Sequence, residues 1–527
     1  MIPYLKSKWL TCLSFIESKY FFYLVLCINI ILVSITRFYP TMDGAAHLYN
    51  SKLLTYLLSG NNFLSQFYSI NSISTPNWLS HSVIAATNIV FPIWVAEKIL
   101  IIGYIAGMAF SFRYFLKQVN PDALYLSLLI FPFSYTFLFY LGFYNFSISF
   151  IFLFLAIGYY IKTIESKSYL KYLVLSTLIV LCYLSNILTY GFLGLTLGSL
   201  AIQNSFSETF ESKSVKNILA SVFRKLFELF IVSIPSLILQ FAFLSDVTFF
   251  STKDTYPTKE LIKWILDVRS LIIYTYDDEI LTQPMLLAIV ALFTLSISFK
   301  NTYIKKNFFS LTLLLQIFLS AILLFMVPDG SGSGMMSYRY LIIFYFFVLL
   351  WITSITVHNN LNRYVLLVAV GLHLGLLYRH LDGAIKDLNH HAEIVYNVGD
   401  YVDSNKVILP INLSDHWIEP HFSNYIGLKK PILILENYEA GVGWFPIKWK
   451  LDQMPDFQVC GESSIGEFNW TTNKNSLHKV PIDYIFIYGN LSKLKEEKWS
   501  KLNPILANDF ELIHKSKEGY ALLYKRK

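Results

Sequence analysis

Apolar runs of membrane-spanning length dominate the first 380 residues of the sequence. A helix needs about 20 predominantly apolar residues to cross a bilayer core. Runs of this kind occupy residues 20–36, 91–112, 122–141, 143–162, 169–184, 186–203, 226–245, 284–299, 308–327, 340–357 and 363–380. Charged residues make up 15% of the chain, against about 25% in soluble domains. The sequence therefore predicts an α-helical polytopic membrane protein with about eleven transmembrane helices.

The basic residues between these runs predict the topology. Lysine and arginine concentrate in alternate loops, at positions 113, 117, 162, 167, 171, 213, 216, 224, 225, 300, 305, 306 and 363. Cytoplasmic loops are enriched in these residues, so we expect a cytoplasmic N-terminus. The net charge of +7 then reflects topology and does not indicate nucleic-acid binding. With a cytoplasmic N-terminus and an odd number of spans, the loops 37–90, 246–283 and 328–339 lie on the outer side of the membrane. The chain from residue 384 onward lies on the same side.

The composition changes to that of a soluble domain near residue 384. Residues 384–402 predict a helix, and residues 510–524 predict a hairpin that turns near Lys517-Glu518-Gly519. Short apolar runs predict buried strands at 406–413, 431–436 and 482–488. We therefore divide the chain into a transmembrane domain, 1–383, and an extracytoplasmic α/β domain, 384–527, which is long enough for its own core.

The segment Pro40-Thr41-Met42-Asp43-Gly44-Ala45-Ala46-His47-Leu48-Tyr49-Asn50 follows the first apolar run. Asp43 and His47 are four residues apart, which places both side chains on one face of a helix. Pro40 and Asp43 suit a helix N-terminus, where the dipole favours an ionised carboxylate. Two interpretations stay open. One is an N-cap aspartate beside a surface histidine, and the other is a charged acceptor that serves as a general base or a metal ligand.

This motif, at this position, resembles the first extracytoplasmic loop of membrane glycosyltransferases of the GT-C type. The form Asp-Gly-x-x-His-Leu-Tyr-Asn is similar to that of a bacterial branch of GT-C-like proteins, and the resemblance covers residues 15–380. It implies an inverting enzyme that transfers a sugar from a polyprenyl-phosphate-linked donor to a glycan, lipid or protein acceptor. It also implies a bacterial inner (plasma) membrane location, with the active site and the C-terminal domain facing the periplasm.

The resemblance assigns catalytic roles to Asp43 and His47. Asp43 would take the proton from the acceptor hydroxyl, or organise that hydroxyl through a metal. His47 would orient Asp43 or share the metal with it. The first loop has one acid where better-known relatives have an adjacent acidic pair, so the cofactor stays open between a divalent metal and none.

Two basic residues are predicted to bind the donor phosphate. Arg339 opens a span directly after a loop with three glycines in five residues, 330–334, whose backbone can approach a ligand closely. A guanidinium there would bind two phosphate oxygens at once, and the alternative is an interfacial arginine that binds any lipid headgroup. Lys98 lies beside Glu97 inside an apolar run. It either joins the phosphate site or extends along its apolar stem to the membrane surface.

Four further polar residues are candidates for a substrate or metal site: Asp277, Asp278, Glu279 and Asn145. The three adjacent acids end the loop 246–283, where they would bind a cation or a sugar hydroxyl, or form a solvated loop end. Asn145 follows a tight outer turn at Gly142, a position that requires no function.

Two other functions fit part of the sequence. A transporter or flippase of lipid-linked glycans predicts broken helices in matching halves and ionisable residues at mid-membrane, whereas charge within the spans is sparse here. A non-catalytic envelope assembly protein would bind a partner through its outer domain. The glycosyltransferase is favoured, because the chain offers a carboxylate and a basic residue for the leaving phosphate on one side of the membrane.

Overall fold

The computed structural model describes residues 15–166, 168–209, 214–246, 253–298, 309–331, 334–356, 359–453, 480–500 and 502–527. The chain forms two compact units. The first, called the helical unit, comprises residues 1–32, 102–139 and 144–380. The second, called the α/β unit, comprises residues 33–101, 140–143 and 381–527.

Helices account for most of the described chain up to residue 398. Their bounds are α1 Lys19–Ser34, α2 Gly44–Leu58, α3 Leu64–Phe67, α4 Leu79–Asn88, α5 Ile93–Val119, α6 Phe137–Tyr140, α7 Tyr144–Thr163, α8 Tyr169–Ser185, α9 Ile187–Thr209, α10 Val215–Asp246, α11 Thr258–Leu266, α12 Glu279–Ser298, α13 Phe309–Met326, α14 Met336–Ile355, α15 Asn360–His380 and α16 Lys386–Val398. Between α5 and α6 the chain forms 3₁₀ segments, Pro121–Ile130 and Pro132–Ser134. Proline lacks the N–H that a continuous α-helix requires, so Pro132 interrupts a span here.

Among the described residues, seven helical segments are long and apolar enough to cross a membrane: Ile93–Val119, Tyr144–Thr163, Val215–Asp246, Tyr276–Ser296, Phe309–Met326, Met336–Ile355 and Asn360–Tyr401. The pair Pro121–Ile130 and Pro132–Tyr140, bent by 47°, would make an eighth span. Lys19–Ser34 and Tyr169–Ser185 are shorter apolar helices. The membrane-spanning character predicted from composition is thus supported, whereas the number of eleven spans stays a prediction.

Buried polar side chains within the helical unit bond to backbone carbonyls and to one another. Asn120 donates to the carbonyls of Thr353 and Thr356, at 2.9 Å each. Oδ1 of Asn29 in α1 lies 2.9 Å from Nε2 of His373 in α15. An unsatisfied polar group in hydrocarbon costs several kcal/mol, so such pairs fix which helices are neighbours.

The α/β unit contains a five-stranded sheet in the order β3-β2-β5-β7-β6. The strands and remaining helices are β1 Tyr68–Ile70, β2 Val407–Leu413, β3 Leu433–Ile434, β4 Ile447–Trp449, β5 Tyr484–Gly489, β6 Phe510–Lys515, β7 Ala521–Arg526, α17 Tyr438–Val442 and α18 Leu502–Asp509. β3, β2 and β5 run parallel, whereas β7 is antiparallel to β5 and β6. The predicted strands, the helix after residue 384 and the hairpin are therefore confirmed. The hairpin turns at Gly519, whose φ of +69° suits glycine.

The first predicted outer loop belongs to the α/β unit, although the sequence analysis placed it in the transmembrane domain. β1 pairs antiparallel with β4, so that Tyr68 lies opposite Trp449. The hydroxyl of Tyr49 in α2 donates to the carbonyl of Ile432 at 2.6 Å, across 383 residues of sequence. The predicted boundary at 383/384 falls near Leu381, where the last segment of this unit begins. Residues 33–101 and 140–143 join that segment through long-range pairing that local patterns do not reveal.

Candidate functional site

Three histidines and three carboxylates lie buried in the α/β unit: Asp43, His47, His81, His421, Glu436 and Glu439. Each is at most 5% exposed. They come from the start of α2, from α4, and from the segment between β2 and β4. We call this set the closed cluster. Ionisable groups are rarely buried without a partner, and a buried group of them is a candidate functional site.

Asp43 and His47 lie at the start of α2. The backbone N–H of Asp43 donates to the carbonyl of Leu141 at 3.1 Å, and that of His47 to the carbonyl of Asp43 at 2.9 Å. Asp43 is the N-cap residue, yet its side chain makes no capping hydrogen bond, and His47 is only 2% exposed. The interpretation as an N-cap aspartate beside a surface histidine is therefore wrong.

The turn at Gly142 packs against this helix start. Gly142 has a φ of +90°, and a Cβ added to it would lie 2.6 Å from Cβ of Asp43. Its carbonyl oxygen lies 2.6 Å from Nε2 of His47. Because a carbonyl oxygen only accepts, Nε2 of His47 must carry a proton. Glycine is required here both by the backbone conformation and by the space that the aspartate occupies.

His47, His81 and Glu439 meet at the centre of the closed cluster. Nδ1 of His47 lies 2.7 Å from Oε1 of Glu439, and Nε2 of His81 lies 2.8 Å from Oε2. The same two ring nitrogens are 3.2 Å apart. Ligating atoms of these three residues all lie within 4.8 Å of one another, which is the spacing of a metal site. Asp43, which the sequence analysis considered as a ligand shared with His47, is not part of this group of ligands.

Paired amides hold the segment that carries Glu439 against α2. Asn50 and Asn437 exchange two hydrogen bonds, of 2.9 and 2.8 Å. Asn437 also caps α17, since its Oδ1 accepts from the backbone N–H of Ala440. Glu439 follows in the first turn of α17, so a local cap and a long-range amide pair together position its carboxylate.

The environment of Asp43 shifts its titration. Burial raises the pKa of Asp43 to about 6, although the charges of His421 and His47 and a hydrogen bond from Tyr438 act in the opposite direction. Nε2 of His421 lies 3.7 Å from Oδ1 of Asp43, and Oδ1 has no hydrogen-bond partner among the described residues. Asp43 is thus a buried carboxylate whose pKa is raised toward neutrality by burial, an effect that the argument from the helix dipole did not include.

The pKa values of the neighbouring groups are shifted in different directions. Burial raises the pKa of the Glu439 carboxyl, but the His47 and His81 rings outweigh it and lower the pKa to about 2. Burial lowers the pKa of His47, and the charges of Glu439 and Asp43 reverse this to leave it raised. For His81 burial prevails, and its pKa is lowered. The closed cluster therefore favours a carboxylate at Glu439 and a neutral ring at His81.

The two predicted phosphate ligands have structural partners. Nζ of Lys98 donates to the carbonyl of Val33 in the last turn of α1 at 2.6 Å, and the side chain is buried. In the helical unit, Nε of Arg339 donates to the carbonyl of Gly334 at 3.0 Å, which holds the guanidinium against the glycine-containing loop. The ammonium of Lys98 is thus held by a backbone carbonyl within the α/β unit. Residues 332–333 of the Arg339 loop lie outside the described residues.

The three adjacent acids do not converge. Asp278 is buried, and its two oxygens each lie 3.0 Å from a basic partner, Nε of Arg379 and Nε2 of His380. Glu279 lies 3.3 Å from Nζ of Lys263, and Asp277 is exposed. The expectation that these acids jointly bind a cation therefore fails, because they face different directions. Asn145 is buried in the first turn of α7.

A second polar site of the α/β unit is an open cleft of about 410 Å³. It lies at the carboxyl ends of β2 and β5, and we call it the open cleft. Residues that line it include Asp387, His391, Ser414, His416, Glu419 and Tyr520. β2 leads to β3 on one side and β5 leads to β6 and β7 on the other, which makes this the usual ligand position in a parallel sheet.

Sequence reasoning found two members of the closed cluster and missed four. His81 and Glu439 are 358 residues apart in sequence, yet Nε2 and Oε2 lie 2.8 Å apart. No local spacing signals such a pair. The one available signal was the density of polar residues between β2 and β4, where His421, Glu436 and Glu439 interrupt apolar sequence.

Neither the protein-family models nor the curated proteins contain a match to this chain.

Proposed function

We propose that the protein is a membrane glycosyltransferase that uses Asp43 as a general base. The donor is a sugar linked to polyprenyl phosphate, and the acceptor is an extracytoplasmic hydroxyl. The observation that carries the proposal is the state of Asp43. Its carboxylate makes no capping hydrogen bond to α2 and is buried beside His47 and His421. Its Oδ1 has no hydrogen-bond partner among the described residues.

The pKa of Asp43 suits proton transfer near neutral pH. A general base is most effective when its pKa lies near the working pH, and burial raises the pKa of Asp43 to about 6. Perturbed carboxylates of this kind cluster at catalytic sites.

The reaction follows from these roles. The acceptor oxygen attacks the anomeric carbon, and its proton passes to Oδ1 of Asp43. The bond from the anomeric carbon to the phosphate oxygen breaks, and the electron pair leaves with the polyprenyl phosphate. Attack opposite the leaving group inverts the anomeric centre. Asp43 is 3% exposed, so the acceptor must reach it through an opening that forms on binding.

Arg339, in the helical unit, stays a separate proposal as a residue that binds phosphate, and the role of Asp43 does not depend on it. A guanidinium stabilises developing phosphate charge through paired hydrogen bonds, and the Gly334 carbonyl orients this one. Lys98 is left out of the reaction, because its ammonium bonds to the Val33 carbonyl.

The test compares Asp43→Asn with Asp43→Ala in the full-length protein. Transfer from a panel of polyprenyl-phosphate sugars is the readout, at matched expression. Asn keeps the shape but cannot accept a proton, so both variants should lose about 10²–10⁴-fold in rate. Asp403→Asn is the control, since Asp403 pairs with Lys525 at the surface of the sheet. Near-normal transfer by Asp43→Asn, or no transfer by the wild type, would contradict the proposal.

A further inference from the structure

We propose that Nδ1 of His47, Nε2 of His81 and the carboxylate of Glu439 bind one divalent transition-metal ion. Two imidazoles and one carboxylate form a common three-residue set for zinc and for non-haem iron. All three side chains are almost fully buried, at 2%, 0% and 0% exposure. The inference does not depend on the proposed glycosyl transfer, because metal binding is measured directly.

The donor atoms of His47, His81 and Glu439 face one another at hydrogen-bond distance, and a single metal ion could replace the protons between them. Nε2 of His47 carries a proton and donates it in a hydrogen bond to the carbonyl of Gly142. In a neutral His47 ring, Nδ1 is then unprotonated, and its lone pair faces Oε1 of Glu439, 2.7 Å away. Oε1 has no partner with hydrogen-bond geometry among the described residues. Protons alone satisfy this contact only by making His47 a buried imidazolium, whereas one cation satisfies both imidazole lone pairs and the carboxylate together.

The distances are close to those of an occupied site. Ligand atoms about 2.0–2.1 Å from a tetrahedral ion are about 3.3 Å from one another. The two ring nitrogens already lie 3.2 Å apart, and each lies 2.7 or 2.8 Å from a carboxylate oxygen. The two nitrogen–oxygen contacts would therefore have to lengthen by about 0.5–0.6 Å when an ion binds.

The outer ring nitrogens are held in the manner of metal ligands. Such histidines usually donate their second N–H to a carbonyl or another acceptor, which fixes the tautomer. His47 does so toward Gly142 at 2.6 Å. Nδ1 of His81 lies 3.4 Å from Oγ of Ser80, and the ring also hydrogen-bonds the backbone of Asn77. Both rings therefore present their inner nitrogens to Glu439.

The ligand set selects the class of ion. Imidazole favours zinc, iron, copper and nickel, whereas magnesium and calcium prefer sites made of oxygen atoms. Three protein ligands leave a fourth tetrahedral position for water or a substrate oxygen, as in catalytic zinc sites. An ion here would supply a Lewis acid close to the start of α2.

Metal binding to the full-length protein tests the inference. The protein, without a histidine tag, is stripped with a chelator in detergent and titrated with Zn²⁺ or Co²⁺. Wild type should bind one ion per chain. His81→Gln and Glu439→Gln should weaken binding at least about 100-fold, since loss of an outer hydrogen-bond partner alone costs about 10–100-fold. His514→Gln is the matched control, because His514 stacks on Tyr401 in the sheet.

A second variant keeps the test decisive if the glutamine variants fail to fold. His81→Cys retains a ligand but exchanges nitrogen for sulfur, so its Co²⁺ complex should gain a sulfur-to-cobalt absorption band that wild type lacks. A folded wild type that binds no Zn²⁺ or Co²⁺ would overturn the proposal. So would equal affinity in His81→Gln and His514→Gln, or a Co²⁺ spectrum that His81→Cys leaves unchanged.

Discussion

The closed cluster and the open cleft both combine histidines with a glutamate in the α/β unit. They differ in which groups can donate hydrogen bonds to the glutamate carboxylate. In the open cleft, Oε1 of Glu419 lies 2.6 Å from Nδ1 of His391, and Oε2 accepts from the hydroxyl of Tyr520 at 2.6 Å. The histidine side chain is 34% exposed. Both oxygens of this carboxylate are therefore satisfied by groups that can donate.

In the closed cluster, Glu439 faces two ring nitrogens, and the His47 ring already uses its Nε2–H as donor to the carbonyl of Gly142. When His47 is neutral, the carboxylate and the two imidazoles therefore hold fewer protons than the contacts between them need. The comparison shows that an ordinary hydrogen-bonded carboxylate and a ligand site can be told apart by donor counting. Proximity of histidine to glutamate does not distinguish them.

The largest expected difference between the two sites is in stability. Glu439→Gln removes the only carboxylate within ion-pair distance of His47 and His81 among the described residues. In the metal-free protein Glu439 raises the pKa of His47 and so favours a charged ring, and breaking a buried charge pair costs about 3–5 kcal/mol. Glu419→Gln keeps an acceptor for Tyr520 or His391, and loss of one hydrogen bond costs about 1–2 kcal/mol. Thermal unfolding of the metal-free full-length protein in detergent measures both. Equal losses would mean that the two carboxylates are held alike.

The seven long apolar helical segments and the sheet could be predicted because each depends on local pattern. Apolar length marks a membrane helix, and apolar runs such as Val407–Leu413 mark a buried strand. The motif with Asp43 and His47 also marked one part of the site. His81, His421 and Glu439 could not be found this way, since the pairing of β1 with β4 and of Asn50 with Asn437 brings them in.

The three adjacent acids could not be assigned from the sequence for a related reason. Asp277, Asp278 and Glu279 are neighbours in sequence, but Asp278 ends a short 3₁₀ helix, Tyr276–Asp278, and its carboxylate contacts Arg379 and His380. Neighbouring residues on a helix point in different directions. Adjacency in sequence therefore did not bring these three carboxylates to one ligand position.

Crowding at the closed cluster gives the next effect. Gly142→Ala places a Cβ 2.6 Å from Cβ of Asp43 at a φ of +90°, so overpacking and backbone strain should together cost about 3 kcal/mol. Gly519→Ala has a φ of +69° with no atom within 4 Å of the added Cβ, and should cost about 1 kcal/mol. The same unfolding assay measures both. If Gly142→Ala lowers the free energy of unfolding no more than Gly519→Ala does, the turn at Gly142 is not packed tightly against Asp43.

The smallest expected effect is the pH dependence that His421 contributes. Burial lowers the pKa of His421, but Glu436, 2.7 Å from its Nδ1, outweighs it and raises the pKa from 6.5 to about 9. Because the pKa is higher in the folded state, protonated His421 contributes its full stabilisation below pH 6.5. This contribution is lost as the pH rises through about 9. Wild type should thus lose about 2 kcal/mol between pH 7 and pH 9.5 that His421→Gln does not lose. If the stability of wild type and of His421→Gln changes with pH in the same way, His421 does not carry the predicted charge.

Anomalous X-ray scattering from crystals of the Co²⁺-loaded full-length protein tests the central claim most directly. The account predicts one anomalous peak at the cobalt edge, about 2.0–2.3 Å from Nδ1 of His47, Nε2 of His81 and an oxygen of Glu439, and no peak beside Glu419. A peak in the open cleft, or none at the closed cluster in a crystal that contains cobalt, would contradict it.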